Sequence, residues 1–90
     1  MIVAVIANVS KPSVVSFLPK VIEKLLSLNI TPAMLESEKE EYYNSESVSY
    51  YNTYDELAQS SDVIITIGGD GTIIHMARYA AEYNKLLLGI

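Results

Sequence analysis

The stretch from Asp62 to Thr72 constrains the fold most, because a short apolar run passes directly into a glycine-rich turn that holds one carboxylate. The β-branched run Val63–Ile67 indicates a parallel strand that is covered on both faces. The segment 72–83 has helical spacing and predicts a helix with one apolar stripe and one polar edge. The predicted stripe comprises Ile73, Ile74, Ala77, Ala80 and Ala81, and the predicted edge comprises His75, Arg78 and Glu82. Asp70 is therefore expected between the carboxyl end of a strand and the amino end of a helix.

The turn Gly68-Gly69-Asp70-Gly71-Thr72 has the composition of a ligand-binding turn. In open α/β sheets ligands bind at the carboxyl ends of the strands. Glycines let the backbone approach a ligand closely, and the first N–H groups of a helix attract anions. We therefore predict a phosphate-bearing ligand with the Asp70 carboxylate facing it. A plain helix N-cap is the simpler alternative for Asp70, but a cap alone does not require glycine at three flanking positions.

Three residues of the predicted helix have simple alternatives to ligand contact. The Thr72 hydroxyl is expected to brace the first helical turn, and a phosphate contact through its backbone N–H is the second possibility. His75 is expected either in solvent on the polar edge or against the ligand. Arg78 is expected to pair with Glu82 at i,i+4 spacing.

Four apolar runs are predicted as strands, and two helices besides the one after the turn connect them. The strands are Ile2–Ala7, Pro32–Leu35, Val63–Ile67 and Leu86–Ile90. The first helix begins at Pro12, and Pro19 inside it is expected to cause a kink or a false start. The spacing of Thr53 and Glu56 predicts a capping box that opens a short second helix through Gln59. Asn84 is expected to end the third helix.

These elements predict a three-layer α/β fold with a short parallel sheet of about four strands. Right-handed crossovers place the strands ending at Ala7 and Ile67 next to each other near the centre of the sheet. The run Leu86–Ile90 is an apolar strand at the end of the chain, so we expect the sheet to be incomplete at its carboxyl end and the chain to be a fragment of a longer protein.

Between the second and third predicted strands, the segment 36–49 is acidic and predicts a surface loop. Five tyrosines cluster in and after it: Tyr42, Tyr43, Tyr50, Tyr51 and Tyr54. They are interpreted as a loop folded over the sheet, or as the interface to another copy. A nucleic-acid platform would require basic residues between the tyrosines, and none is present.

Composition narrows the classes of function. Ninety residues form one small domain, and the net charge of -5 with scattered basic residues argues against a nucleic-acid surface. The chain has no cysteine, which excludes a disulfide framework and fits a reducing compartment. No run reaches the length of a membrane-spanning helix. We expect a cytoplasmic homo-oligomer that binds small nucleotides and neither nucleic acid nor membrane.

The turn resembles the pentapeptide in the amino-terminal domain of NAD kinases that use ATP or polyphosphate. The apolar strand before it, the Ala77-Arg78 pair and Leu88-Gly89-Ile90 after it extend the resemblance, and Asn8 with Lys11-Pro12 resembles the family's opening loop. The resemblance implies a Rossmann-like nucleotide-binding domain over residues 1–90, with the family's β-rich carboxyl-terminal domain absent from this chain. The isolated ninety residues are accordingly expected to be inactive.

The resemblance also implies roles for individual residues. Asp70 is implied as the catalytic proton acceptor for the adenosine-ribose 2′-hydroxyl of NAD, and Gly71 as a dinucleotide contact. His75 stands where the family often has a basic ligand-contacting residue, commonly arginine. The implied nucleotide-binding set is Gly68, Gly69, Asp70, Gly71, Thr72 and His75. NAD is implied as a substrate and ATP or polyphosphate as the donor, with magnesium or another divalent cation arriving with the nucleotide.

Other classes are left open at this point. Diacylglycerol and sphingosine kinases share the pentapeptide but usually follow it with an Asn-Glu pair, where this chain has Ile74-His75. Phosphofructokinases usually have serine in place of Thr72. A non-catalytic binding or assembly module is the alternative outside the enzymes. The turn lacks the Gly-Lys-Ser/Thr of a phosphate loop, and Ile74 stands where a dinucleotide fingerprint has its third glycine, so hydride transfer is not expected.

Overall fold

A computed structural model describes all residues 1–90 and shows a parallel sheet between two layers of helices. The elements are β1 (Ile2–Ala7), α1 (Pro12–Ser27), β2 (Thr31–Leu35), β3 (Ser49–Tyr51), α2 (Tyr54–Ser60), β4 (Val63–Ile67), α3 (Asp70–Glu82) and β5 (Leu86–Gly89). All four strand pairs are parallel, and the strand order is β3-β2-β1-β4-β5. The structure therefore confirms the predicted three-layer α/β fold.

β1 is the central strand and pairs with β2 on one side and β4 on the other. Its register with β4 places Ala7 beside Ile67, as the crossover rule predicted. The chain moves from β1 towards β3 in one direction and continues from β4 to β5 in the other. This reversal opens a crevice between the carboxyl ends of β1 and β4, the place where sheets of this kind bind ligands.

The two faces of the sheet are covered by different helices. Side chains alternate along a strand, so Val3 and Val5 of β1 face α1, and Ala4 and Ile6 face α2 and α3. α1 contributes Val14, Leu18, Ile22 and Leu25 to the first core. The second core contains Leu57 and Ala58 of α2 with Met76 and Ala80 of α3. Burial on both faces explains why β1 is apolar throughout.

The sheet has five strands, whereas about four were predicted. The additional strand is β3, which pairs in parallel with β2 through Met34 and Tyr50. The Tyr50 hydroxyl donates to the Tyr43 carbonyl and accepts the Ser45 N–H at 3.2 Å, so the preceding loop is anchored to the strand. A three-residue strand is too short to show the alternation by which strands are recognised.

The structure confirms the interpretation that the tyrosine-rich loop folds over the sheet. Tyr42, Tyr43 and Tyr50 pack against the core beneath α1, and Tyr51 and Tyr54 pack against the opposite core. Their rings extend the apolar cover of a sheet edge that no long helix reaches. The acidic residues between them remain largely in solvent.

α1 runs from Pro12 to Ser27 without a break, so the helix makes no false start at Pro19. A proline inside a helix costs about 3 kcal/mol, because one hydrogen bond is lost and the ring is crowded. Each fully buried leucine or isoleucine contributes about 1.5–3 kcal/mol. Leu18 and Ile22, both fully buried, flank the proline, so packing on the sheet outweighs its cost.

The predicted apolar stripe of α3 is only partly correct. Met76 and Ala80 are the buried residues of this helix, and Met76 was not in the predicted stripe. Ile74 is 72% exposed, and Ala77 and Ala81 are also exposed. The helix begins at Asp70, two residues earlier than predicted. The face turned towards the sheet is set by its connections to β4 and β5, which the helical period alone does not reveal.

The predicted start of α2 is confirmed, and α3 has Tyr83 as its C-cap, one residue before the predicted cap. The Thr53 hydroxyl accepts the Glu56 N–H at 3.1 Å and caps α2, which fixes Tyr54 as its first residue. Asn84 follows α3 with a φ of 54°. No helix in the structure combines the length and the hydrophobicity that crossing a bilayer requires.

β5 leaves one apolar face of the sheet edge uncovered. Its register with β4 places Leu86 and Leu88 on the same face as Val63 and Ile65, beyond the reach of α1. The exposed large hydrophobic residues on this side are Phe17, Leu86, Leu88 and Ile90. A groove of about 370 Å³ next to this face is lined by Phe17 and Ile90, by Ile65 of β4, and by further residues of α1 that include Lys20 and Lys24.

Candidate functional site

The glycine turn lies in the crevice between the ends of β1 and β4. Gly68 follows β4 directly and has a φ of 139°, which residues with side chains rarely adopt. The Asn8 N–H donates to the Ile67 carbonyl at 2.8 Å and holds the loop after β1 against this turn. A Cβ on Gly68 would lie only 2.6 Å from the Cβ of Asn8. Glycine is therefore required at this position by the protein itself.

Asp70 is the first residue of α3, and its side chain is exposed. The N-cap of the helix is Gly69, and no side chain makes a capping hydrogen bond. The alternative interpretation of Asp70 as a plain N-cap is therefore wrong. Its carboxylate stands at the amino end of α3, where the helix presents N–H groups to an anion.

Packing within the protein does not explain why residue 71 is glycine. A Cβ at this position would meet nothing within 4 Å, and its φ is not positive. Glycine in a helix is up to about 1 kcal/mol less favourable than alanine. The fold would therefore accept alanine here, which points to close approach by a ligand as the reason for glycine.

We expect Gly71→Ala to leave the stability unchanged or slightly higher while weakening nucleotide binding. A new methyl group would stand in open space on the side from which a ligand approaches, and displacement of a bound substrate by about 1 Å can lower the rate up to a hundredfold. Thermal unfolding and nucleotide titration of the same preparation test both effects. Unchanged binding in a stable variant would mean that no ligand approaches Gly71.

The largest cavity at the turn has a volume of about 390 Å³, within the range of small-ligand sites. Three of the predicted binding residues line it: Gly71, Thr72 and His75. Gly68 instead lines a second cavity, of about 320 Å³, on the side of the turn next to α1. Asp70 and Gly69 lie on the turn between the two groups of lining residues. The predicted residues thus lie in and directly after one turn, but three of them line the first cavity, called the main cavity below, and Gly68 lines the second.

Lys11 places a positive charge beside the turn. Its ammonium nitrogen lies 3.3 Å from the position that a Cβ on Gly69 would take. The residue precedes α1 and also lines the second cavity. A cation next to free helix N–H groups favours the binding of phosphate.

Thr72 braces the turn differently from the prediction. Its backbone N–H donates to the Gly69 carbonyl at 3.1 Å. This N–H, which was considered for a phosphate contact, is therefore already used within the turn. Thr72 itself lines the main cavity beside Gly71.

His75 belongs to an aromatic cluster at the edge of the main cavity. Its ring lies 4.9 Å from that of Tyr54, edge to face, and 5.6 Å from that of Tyr79. The predicted pair of Arg78 with Glu82 is wrong, because the Arg78 guanidinium donates to the Tyr79 hydroxyl at 3.1 Å and lies 5.0 Å from its ring centre. The helix edge is thus aromatic, and the guanidinium is close enough to the Tyr79 ring for a cation–π attraction.

One hydrogen bond fixes α2 against α3 behind this cluster. The Tyr83 hydroxyl donates to the Asp55 carboxylate at 2.8 Å, and this bond is the main reason that the pKa of Tyr83 rises to about 12. Asp55 is adjacent to Tyr54, so the bond also helps to hold the Tyr54 ring beside His75.

Glu38 and Tyr54 complete the main cavity, and both carry shifted pKa values. Burial raises the pKa of the Glu38 carboxyl above its ordinary value of 4.5. Burial also raises the pKa of Tyr54, with smaller contributions from the negative charge of Glu38 and from Tyr79. This wall of the cavity is therefore partly removed from water and bears a carboxyl group.

Four residues with polar side chains line the cavity but were not among the predicted site residues: Asn8, Ser10, Glu38 and Tyr54. Asn8 could have been predicted as a cavity residue from the sequence, because it follows a strand whose carboxyl end meets the turn. The same reasoning applies to Lys11 beside the second cavity. The Asn8 Oδ1 accepts the Ser10 hydroxyl at 2.6 Å and shapes the loop. Glu38 and Tyr54 had no signal in the sequence, since only the path of the acidic loop brings them to the cavity.

Comparison with known proteins shows a match to one family. Residues 3–90 match the model of the ATP-NAD kinase N-terminal domain. The chain is 33% identical over 89 residues to the NAD kinase of Nitrosococcus oceani and 28% identical over 88 residues to that of Geotalea daltonii, which is 99% and 98% of this chain. It is 53% identical to the NAD kinase of Campylobacter jejuni over 36 residues, 40% of this chain and 13% of that protein. The chain spans about 30% of the length of the first two relatives.

Proposed function

This chain belongs to the NAD kinase family, and on that premise we propose that the protein transfers the terminal phosphoryl group of ATP or polyphosphate to the adenosine-ribose 2′-hydroxyl of NAD, giving NADP. The observation that carries the proposal is the position of the Asp70 carboxylate, which makes no capping hydrogen bond and lies where the glycine turn meets the amino terminus of α3. Because the chain spans about 30% of the length of the relatives that it matches from end to end, the activity is proposed for the protein as a whole.

Asp70 is proposed to orient the acceptor and to take its proton. The 2′-oxygen attacks the terminal phosphorus, the new O–P bond forms as the bond to the leaving phosphate breaks, and the proton passes to the Asp70 carboxylate. The transition state of phosphoryl transfer is loose, so in-line positioning contributes much of the rate. An exposed carboxylate that makes no capping bond is free to serve this purpose.

The glycine turn and Lys11 are proposed to neutralise the phosphates. The N–H groups of Asp70 and Gly71, the first two residues of α3, have no partner within the helix and point towards an anion at its amino end. Lys11 adds a full positive charge beside Gly69. Gly71 leaves the space through which phosphates approach the backbone.

A divalent cation is proposed to enter with the donor nucleotide. No group of three histidine, aspartate or glutamate side chains converges in the structure. Magnesium is usually bound through one or two carboxylates together with substrate phosphates and water, so the phosphates of the donor and water would supply most of its ligands.

We extend the proposal to a cytoplasmic homo-oligomer. The exposed apolar face of β5 supports the oligomer, because such a face is a candidate for contact with a second copy.

A comparison of substrates tests the proposed function. The whole protein that contains these ninety residues, purified and supplied with ATP or polyphosphate and magnesium, is expected to form NADP from NAD and to leave diacylglycerol, sphingosine and fructose 6-phosphate unphosphorylated. Coupled NADP detection measures the first reaction, and transfer of labelled phosphate measures the others. Phosphorylation of a lipid or a sugar phosphate with no NADP formed would reject the proposal. A protein that phosphorylates none of them would instead support the non-catalytic alternative.

A further inference from the structure

The Glu38 carboxyl has no partner that explains its position in the main cavity. It is half-buried, it lines the same cavity as Gly71 and His75, and it takes part in no side-chain hydrogen bond or ion pair of the protein. A carboxylate that is partly removed from water without a donor opposes folding. Its raised pKa is the expected consequence.

The local backbone does not require a glutamate at this position. The Glu38 carbonyl accepts the N–H groups of Tyr42 and Tyr43 at 3.0 and 3.3 Å, and these bonds hold the turn after β2. Any residue would provide that carbonyl. The side chain is therefore free of a structural task, and its energetic cost suggests that a ligand supplies the missing donors.

The position of Glu38 in the fold indicates which donors these are. It lies three residues beyond the end of β2, the strand next to β1, at the edge of the sheet where the glycine turn receives phosphates. In dinucleotide-binding sheets whose glycine turn follows the first strand, an acidic side chain further along the chain accepts a hydrogen bond from a ribose hydroxyl. The glycine turn of this chain follows β4 instead, but the loop after β1, with Asn8 and Ser10, lines the same cavity as Glu38. Phosphates near Gly71 and Thr72 would leave their attached ribose within the same cavity, towards Glu38 and Tyr54.

We propose that Glu38 binds the 2′,3′-diol of a ribose belonging to the nucleotide whose phosphates lie at the glycine turn. Both carboxylate oxygens accept hydroxyl hydrogens, and the Tyr54 ring forms the adjoining wall. The inference rests on the proposed function only in taking the ligand to be a nucleotide of that reaction. Two sources supply such a diol, the donor ATP and the nicotinamide ribose of NAD, since Asp70 is assigned to the adenosine ribose.

The test pairs a change in the protein with a change in the ligand. ATP, 2′,3′-dideoxy-ATP and NAD are titrated by calorimetry into the purified protein and into Glu38→Gln, whose amide offers one acceptor instead of two. Loss of a hydrogen bond to a charged group corresponds to about a tenfold or larger loss of affinity. If ATP is the source, its affinity falls about tenfold in the variant while that of 2′,3′-dideoxy-ATP is unchanged. If NAD is the source, only its affinity falls.

Glu36→Gln is the matched control, because Glu36 lies in the same short turn with its side chain exposed. It should bind all three nucleotides as the wild type does. Thermal unfolding at pH 7 gives a second readout: Glu38→Gln should be at least as stable as the wild type, because it removes a partly desolvated charge. A residue with a purely structural role would lose stability in this measurement.

The outcomes separate this inference from the proposed function. Equal affinities of Glu38→Gln and wild type for ATP and for NAD would overturn the inference, even if NADP is formed. An equal loss of affinity for ATP and for 2′,3′-dideoxy-ATP would overturn it as well, because the effect would not depend on the diol. A diol-dependent loss in a protein that forms no NADP would uphold the inference and reject the function.

Discussion

Asp70→Asn is expected to lower kcat for NAD phosphorylation by about 10²- to 10⁴-fold, the usual contribution of a positioned proton acceptor. Asparagine keeps the size of the side chain but cannot take the proton of the 2′-hydroxyl. The fold should be unaffected, because Asp70 is exposed and provides no capping bond to α3. Steady-state kinetics with coupled NADP detection, together with thermal unfolding, measure both quantities.

Glu82→Gln is a suitable control for the loss of negative charge. Glu82 is exposed at the last position of the same helix, a full helix length from the turn. It should retain wild-type kinetics. An undiminished rate in Asp70→Asn would remove Asp70 from the mechanism, and a loss in which only KM changed would assign it to binding alone.

Gly68→Ala is expected to destabilise the protein and abolish efficient turnover together. Backbone strain in a sparsely populated region is about 1–3 kcal/mol. At a φ of 139° alanine would suffer this strain, and its Cβ would meet the Asn8 Cβ at 2.6 Å. The loop after β1 must therefore move away from the glycine turn. We expect a fall of about 2 kcal/mol or more in the free energy of unfolding, a large part of the stability of a small domain.

Urea denaturation monitored by circular dichroism measures this loss, and Gly71→Ala provides the comparison three residues further on. The two substitutions should act in opposite ways on stability, since a Cβ at Gly68 would meet Asn8 whereas a Cβ at Gly71 would meet nothing within 4 Å. A Gly68→Ala variant with wild-type stability would show that the turn relaxes without strain. The close approach of the two loops would then have no energetic importance.

The positions of Asp70 and Gly71 could be predicted because local patterns specify them. A β-branched run followed by glycines and then by helical spacing allows one arrangement, a strand that turns into a helix. The end of β1 could be placed beside that turn because right-handed crossovers leave few topologies for such a chain. The crevice and the position of the Asp70 carboxylate beside it could therefore be predicted from the sequence.

The face of α3 and the course of α1 could not be predicted in the same way. Helical period places Ile74 and Met76 on different faces but does not say which face meets the sheet, and the structure buries Met76. Pro19 predicts an interruption from local chemistry alone. The burial of Leu18 and Ile22 against the sheet outweighs that local cost.

Local patterns and the handedness of crossovers specify the parallel α/β architecture, the central pair of strands and the turn that carries Asp70. By contrast, the approach of Glu38 and Tyr54 to the cavity of Gly71 and His75 follows from tertiary packing alone. Their placement depends on how the segment between β2 and α2 packs its tyrosines over both cores. Packing between distant segments has no local signature, since many loop paths satisfy the same composition and only burial of the whole set selects one.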